Sequence, residues 1–301
     1  MSQKIPDALK SDLPANNWGK ILAATPVVMT VVATLLAGLA SSEMTTAQYD
    51  RAMAAQLQSK AGDQWSYFQA KKLRAAMQRS TLDTLVATQA VRRVPAVVTT
   101  LSATDPARAA LELGSVPQLP PMADQVGPIK LALDAVERQD SESEILVHVK
   151  QVDDAVLNAT LVAARARVTE FEELIKPIIL QVDRLESTSS FASSADQDAK
   201  AAFRDIMAAR IRFNANRYES EAKLNQGIGG LLEISVRRAN LSAERHHLRS
   251  QRFFFGMLGA QVGVIVATLA MAARQRSFLW VIAAVAGVAA TGFAVYVYVT
   301  L

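Results

Sequence analysis

The densest run of chemically able side chains is Asp63-Gln64-Trp65-Ser66-Tyr67-Phe68-Gln69-Ala70-Lys71. On a helix, Asp63, Tyr67, Lys71 and Arg74 fall at i, i+4, i+8 and i+11 along one stripe, while Trp65 and Phe68 share a neighbouring one. Two uses are open. Trp65 and Phe68 can fill a helical core while Asp63, Tyr67 and Lys71 tie helices together by hydrogen bonds. Alternatively the same set, with Gln64 and Gln69, meets another subunit or a small ligand, because aromatics beside paired charges make good anchors. Neither a His nor a second carboxylate lies nearby to complete an acid–base pair, so no catalytic residue is expected and the chain is read as not an enzyme.

Other reactive types point away from ligand chemistry. His246 and His247 are adjacent, so one helix aims them in different directions and they cannot grip one ion as an i, i+4 pair could. His148 stands alone. The absence of cysteine excludes disulfides, thiolate metal sites and Cys nucleophiles. Gly227, Gly229 and Gly230 lack the spacing and the following Lys-Ser/Thr of a phosphate loop, and mark a hinge or a close helix contact. No cofactor and no metal are expected. The net charge of +4 is modest, and its positive residues gather beside apolar runs. Arg237, Arg238, Arg245, Arg249 and Arg252 precede Phe253, opposed only by Glu244, and Arg274 and Arg276 separate two further apolar runs. Arg245, Arg249, Arg252, Arg274 and Arg276 are therefore candidate partners of anionic lipid headgroups, and nucleic acid is not expected as a partner.

Those apolar runs are 21–40, 253–273 and 278–299, each free of Asp, Glu, Lys and Arg. Each is near the ~20 residues a helix needs to cross ~30 Å of hydrocarbon, so three transmembrane helices are expected. Full bilayer length in the first run favours an uncleaved anchor over a signal peptide, with Pro26 in its first turns and Trp18 and Lys20 at the interface. Gly259 and Gly263 make a GxxxG, and Ala283, Gly287 and Thr291 a small-residue stripe. Gly259, Gly263 and Gly287 are thus candidate packing positions, either within the hairpin of the last two spans or between copies. With no charged residue in any span, a proton-coupled transporter or a charged pore made by one chain is disfavoured.

Residues 1–20 are left as a tail and 41–252 as an extramembrane domain whose Ala, Leu, Gln, Glu, Lys and Arg favour long helices. A helix continuous with the first span should stop near Pro95. Asp105 and Pro106 form an N-cap and first-turn pair for a short helix that Gly114 ends, and Pro117, Pro120, Pro121 and Pro128 define a linker over about 116–128. A second block opens on the capping box Ser141/Glu144. Leu157, Leu161, Ala164, Val168, Phe171, Ile175, Ile178, Val182 and Leu185 then alternate in steps of four and three, a seam that must face another helix, with a kink expected at Pro177. A Ser-rich linker over about 186–193 ends it. Ser194 with Gln197 should cap a third helix that runs into the second span.

The Asp63 to Lys71 motif resembles the Asp-Gln-Trp-Ala-Tyr-Tyr-Gln-Ala-Lys signature of the DUF4337 family of uncharacterised membrane proteins, with Ser66 for Ala and Phe68 for Tyr. The resemblance includes the span before the motif and the C-terminal pair of spans joined by the turn Arg274 to Trp280. It leaves about 101–193 unexplained and implies no activity. The expected fold is all-α: three transmembrane helices plus a long extramembrane antiparallel helical bundle or coiled coil. The expected role is structural or assembly-related, in the lipid bilayer and as a homo-oligomer held by the heptad seam or the GxxxG. An accessory subunit of a larger membrane complex and a membrane sensor with a helical ligand-binding domain are the alternatives. Lys4, Lys10, Lys20, Arg274 and Arg276 count toward the cytoplasmic side, which puts the bundle in the periplasm of a bacterial inner membrane.

Overall fold

A computed structural model describes residues 17–92, 95, 98, 101–102, 104–119, 127–192, 197–272 and 276–300. Among the described residues the secondary structure is entirely helical: α1 (Asn17–Thr88), α2 (Pro106–Leu113), α3 (Pro128–Glu137), α4 (Glu142–Val149), α5 (Asp154–Ala192), α6 (Gln197–Ala272) and α7 (Arg276–Thr300). The expected cap at Ser194, Pro120 and Pro121 lie outside the described residues, as does most of the N-terminal tail.

Local chemistry accounts for the element ends. Asp105 accepts from the Ala107 N–H at 2.9 Å, Pro106 needs no donor in the first turn, and Gly114 closes α2 with a φ of 69° that other residues adopt reluctantly. The capping box at Ser141 and Glu144 is present and opens α4. Three boundaries differ from expectation. Pro128 does not belong to a linker but opens α3, since its ring suits the first helical position. The block beginning at Ser141 is two helices, because Asp153 accepts from the N–H groups of Ala155 and Val156 and starts α5 afresh. The Ser-rich stretch from residue 186 is no linker up to Ala192: Ser187 and Thr188 donate back to the Arg184 carbonyl at 2.8 and 2.9 Å, which keeps their hydroxyls satisfied inside the helix.

The chain divides into two compact units, 1–53 with 239–301 and 54–238, and α1 and α6 contribute to both. The core of the second unit joins α2, α5 and α6 through Leu111, Phe171, Ile175, Ile178, Val182 and Phe213. Most of the α5 heptad positions are buried, Leu157, Leu161, Ala164, Phe171, Ile175, Ile178 and Val182 among them, and α5 is continuous through Pro177. A second repeat runs along α1. Ala33, Ala40, Ala47, Ala54, Ala61 and Ala75 are buried at intervals of seven, with half-buried Phe68 filling the one gap. Alanine at each step lets a partner helix approach closely.

In the first unit many large apolar side chains face outward. Small residues make up most of the inside, including Ala33, Ala260, Ala267, Ala270, Ala283 and Ala290 beside Met29, Leu36 and Phe253, while Val27, Val31, Leu35, Phe255, Ile265, Val285 and Val288 are exposed. Met29 inserts between Gly263 and Gly287, whose missing side chains make the space. Gly259, expected to pack likewise, has no neighbour within 4 Å of the position its Cβ would take. Both α1 and α6 hold stretches long and apolar enough to cross a membrane. Their apolar windows are only 22% and 33% buried, unlike the core helix of a water-soluble domain. The expected third span at 278–299 does not reach that standard: the described apolar part of α7, Val281–Phe293, is shorter than the ~20 residues a crossing needs.

Candidate functional site

The motif residues of α1 lie against the Arg217 to Arg237 stretch of α6, with the two helices antiparallel in this unit. Gln64 Nε2 donates to the buried Asn225 amide oxygen, whose own Nδ2 donates to the Glu221 carbonyl at 2.6 Å. Trp65 Nε1 donates to Glu233 Oε1 at 2.8 Å, and Phe68 meets the indole edge-on with centroids 5.4 Å apart. Lys71 is salt-bridged to Glu221, both side chains being largely buried. Lys72 pairs with Glu219 at 2.7 Å, which Arg79 also approaches.

A stack of cations and rings continues the contact. The Lys71 ammonium sits 4.9 Å from the Tyr67 ring centroid and 5.4 Å from that of Tyr218, and the Arg217 guanidinium lies 4.6 Å from the latter. Burial opposes the charge on Lys71, but the hydrogen bonds to Glu221 and Tyr67 outweigh it and hold its pKa above the ordinary lysine value. Lys72 draws Glu219 below the usual carboxylate range.

Of the expected motif residues, Gln64, Trp65, Phe68 and Lys71 face α6, while Asp63, Tyr67 and Gln69 are exposed. Trp65 and Phe68 are half-buried at a polar junction, so they do not fill a core in the way expected. Asp63 does not tie helices together: helical phase turns it outward.

The glycines seen in the sequence are helix contacts on α6. A Cβ on Gly229 would stand 3.1 Å from Trp65 Cε2, and one on Gly230 would stand 2.8 Å from Leu133 Cδ2. At Gly227 nothing lies within 4 Å. Beside this stretch Trp65, α3, α4 and α6 bound a cleft of about 820 Å³. Its carboxylates are Asp134, Glu137, Asp140, Glu142 and Glu233, its cations Lys130 and Arg237. Arg237 is shared by Glu142 and Glu233 at 3.1 and 3.2 Å; burial opposes its charge, and the two carboxylates more than restore it. None of the α3 residues was anticipated from the sequence. Gly127-Pro128 followed by buried Ile129, Ala132 and Ala135 was the available signal.

The basic collar is smaller than expected, because Arg237 is engaged as above and Arg238 holds Asp154 at 2.8 Å, lowering that carboxylate's pKa. Arg245 is exposed, and Arg249 and Arg252 are partly buried. Arg274 and the Arg276 side chain lie outside the described residues. His246, placed by the sequence among the residues of the basic collar, meets Glu43 at 2.5 Å in the first unit, where Ser250 also donates to the Ala40 carbonyl at 2.7 Å. His247 Nε2 lies 3.0 Å from Gln251 Nε2.

Fold and site together define an all-helical protein with two membrane-length helices and a motif spent largely on helix pairing. Residues 18–112, which cover nearly all of α1 and α2, match the family model described as a domain of unknown function, DUF4337. The match includes the Asp63 to Lys71 motif and does not extend to the C-terminal pair of apolar runs. No curated protein and no solved structure matches the chain.

Proposed function

We propose that the chain is a membrane-anchored helical scaffold that associates with copies of itself through the outer face of α1. The observation that carries this is the second face of that helix. Ala55, Ser59, Gly62, Ser66, Ala70, Leu73 and Met77 recur in steps of three and four, carry no charge and are all exposed. They lie opposite the buried alanines, so α1 offers a second close-packing seam of the kind that its first face gives to α6. The α5 seam and Gly263 are occupied within the chain and are poor candidates for this role.

The largely small-residue interior of the first unit supports insertion of α1 and α6 in a bilayer, with α7 packed against them. In a bacterial inner membrane, Lys4, Lys10, Lys20, Arg274 and Arg276 counted by the positive-inside rule favour the 54–238 unit outside the cytoplasm, with Arg245, Arg249 and Arg252 at headgroups. Gln64, Trp65 and Lys71 of the motif are engaged in side-chain ties to α6, which supports a structural role over a catalytic one.

The test is the mass and polypeptide composition of the tagged protein after gentle solubilisation from its native membrane. Multiples of this chain alone, falling to a single-chain mass in Ser59→Lys/Ser66→Lys with an unchanged melting temperature, are expected. Foreign chains in fixed ratio would replace this reading with an accessory subunit. A single-chain mass for the parent protein would end it.

A further inference from the structure

We propose that the cleft between Trp65, α3, α4 and the glycine-bearing part of α6 binds an aliphatic polyamine. Its volume of about 820 Å³ falls within the ~300–1,000 Å³ typical of small-molecule sites. The space is built into the helix backbones. Gly230 lets Leu133 of α3 approach α6, while Gly227, which lines the cleft, leaves its own Cβ position open.

Charge decides the class of ligand. Of the five lining carboxylates, Glu142 and Glu233 share Arg237 and Asp140 is held by Arg138 at 2.8 Å, which leaves Asp134 and Glu137 with Lys130 as the remaining lining charges. An anion entering the cleft would meet a surplus of like charge, whereas a cation would meet Asp134 and Glu137. The rest of the wall suits a chain of methylenes rather than a hydrated ion. Leu133, Val136 and Ile145 supply apolar surface, and Trp65 supplies an aromatic ring for an ammonium. Among the described residues no group of acidic or His side chains converges as metal ligands would, which sets a metal ion aside.

The experiment is titration calorimetry of the full-length detergent-solubilised protein with spermidine, repeated with magnesium chloride and sodium phosphate at matched ionic strength. Saturable binding of spermidine near one per chain is expected. It should weaken at least tenfold in Gly227→Leu, which fills the cleft, and in Asp134→Asn/Glu137→Gln, which removes charge without altering volume. Both variants should keep the parent's helicity, with a melting temperature no lower than the parent's. No saturable heat, equal affinity in the charge-removed variant, or magnesium competing at the same concentration as spermidine would overturn the proposal. Tighter binding of phosphate than of spermidine would overturn it as well. Should Gly227→Leu fail to fold, the isosteric double variant alone decides.

Discussion

The indole N–H of Trp65 donates to Glu233 Oε1 at 2.8 Å while the same ring rests on Gly229, four residues earlier on α6. One side chain of the motif therefore sets both the spacing of two helices, through the ring, and their register, through the hydrogen bond. Because Trp65 is half-buried, its truncation should cost less than the ~3–5 kcal/mol of a fully buried ring. Trp65→Phe, which keeps the ring contact and loses the bond to a charged acceptor, should cost about 1–2 kcal/mol, and Trp65→Ala about 2–3 kcal/mol. Denaturant melts of the solubilised protein check the order; equal costs would mean that the hydrogen bond contributes nothing.

The three neighbouring glycines should respond differently to alanine. Gly227→Ala has room and gains helix propensity, so a stabilisation of about 0.5–1 kcal/mol is expected. Gly230→Ala presses on the end of the Leu133 side chain, which can rotate away, and should fall near neutral to mildly destabilising. Gly229→Ala meets the rigid indole and should be the worst, at about 1–2 kcal/mol. Melting temperatures in any other order would contradict the packing described.

In the first unit, Gly263 and Met29 should be energetically coupled. Gly263→Ala places a methyl group where Met29 Cε sits and should destabilise by about 1–3 kcal/mol. Met29→Ala opens a hole of its own, yet the double variant should cost at least about 0.5 kcal/mol less than the sum. Strict additivity in thermal melts would place the two residues apart.

Stability should fall at both ends of the pH range, for different groups. Lys72 and Arg238 lower the pKa values of Glu219 and Asp154, so the contribution of these carboxylates is complete above the unfolded carboxylate range. It is lost as pH falls through the lower folded values. Lys71 has a raised pKa, so its contribution is complete below the unfolded lysine value and lost as pH rises through the folded one. Glu219→Gln/Asp154→Asn should flatten the acid limb only, and Lys71→Met the alkaline limb only. Asp154 is exposed and Glu219 is partly buried beside an exposed Lys72, so the acid effect should be about 1 kcal/mol or less. A pH-stability profile of each variant measures this, and an acid limb identical to the parent's would refute the assignment.

Much of the secondary structure was legible because its signals are local. Asp105-Pro106, Gly114 and the Ser141/Glu144 box mark helix ends by satisfying or omitting specific backbone donors, and apolar steps of four and three on α5 mark the buried side of that helix. The α1 seam escaped notice because alanine is a weak hydrophobic signal: a repeat at 33, 40, 47, 54, 61 and 75 looks like ordinary helix composition until burial exposes it. The helix at Pro128–Glu137 was masked by the prolines before it. Ser187 and Thr188 looked like a break, because the sequence does not reveal that their hydroxyls return to the Arg184 carbonyl.

By itself the sequence determined the helical class, the apolar runs and the motif, since all three follow from propensity, hydropathy and spacing along one chain. Only the tertiary structure decided that Trp65 meets Glu233, that Lys71 meets Glu221, that Met29 fills the space at Gly263 and Gly287, and that α3 walls a cleft beside Gly227. Periodicity says which face of a helix must be covered, but its partner is chosen by how side-chain volumes and charges far apart in sequence fit when two helices touch. That fit depends on both surfaces at once and cannot be read from either alone.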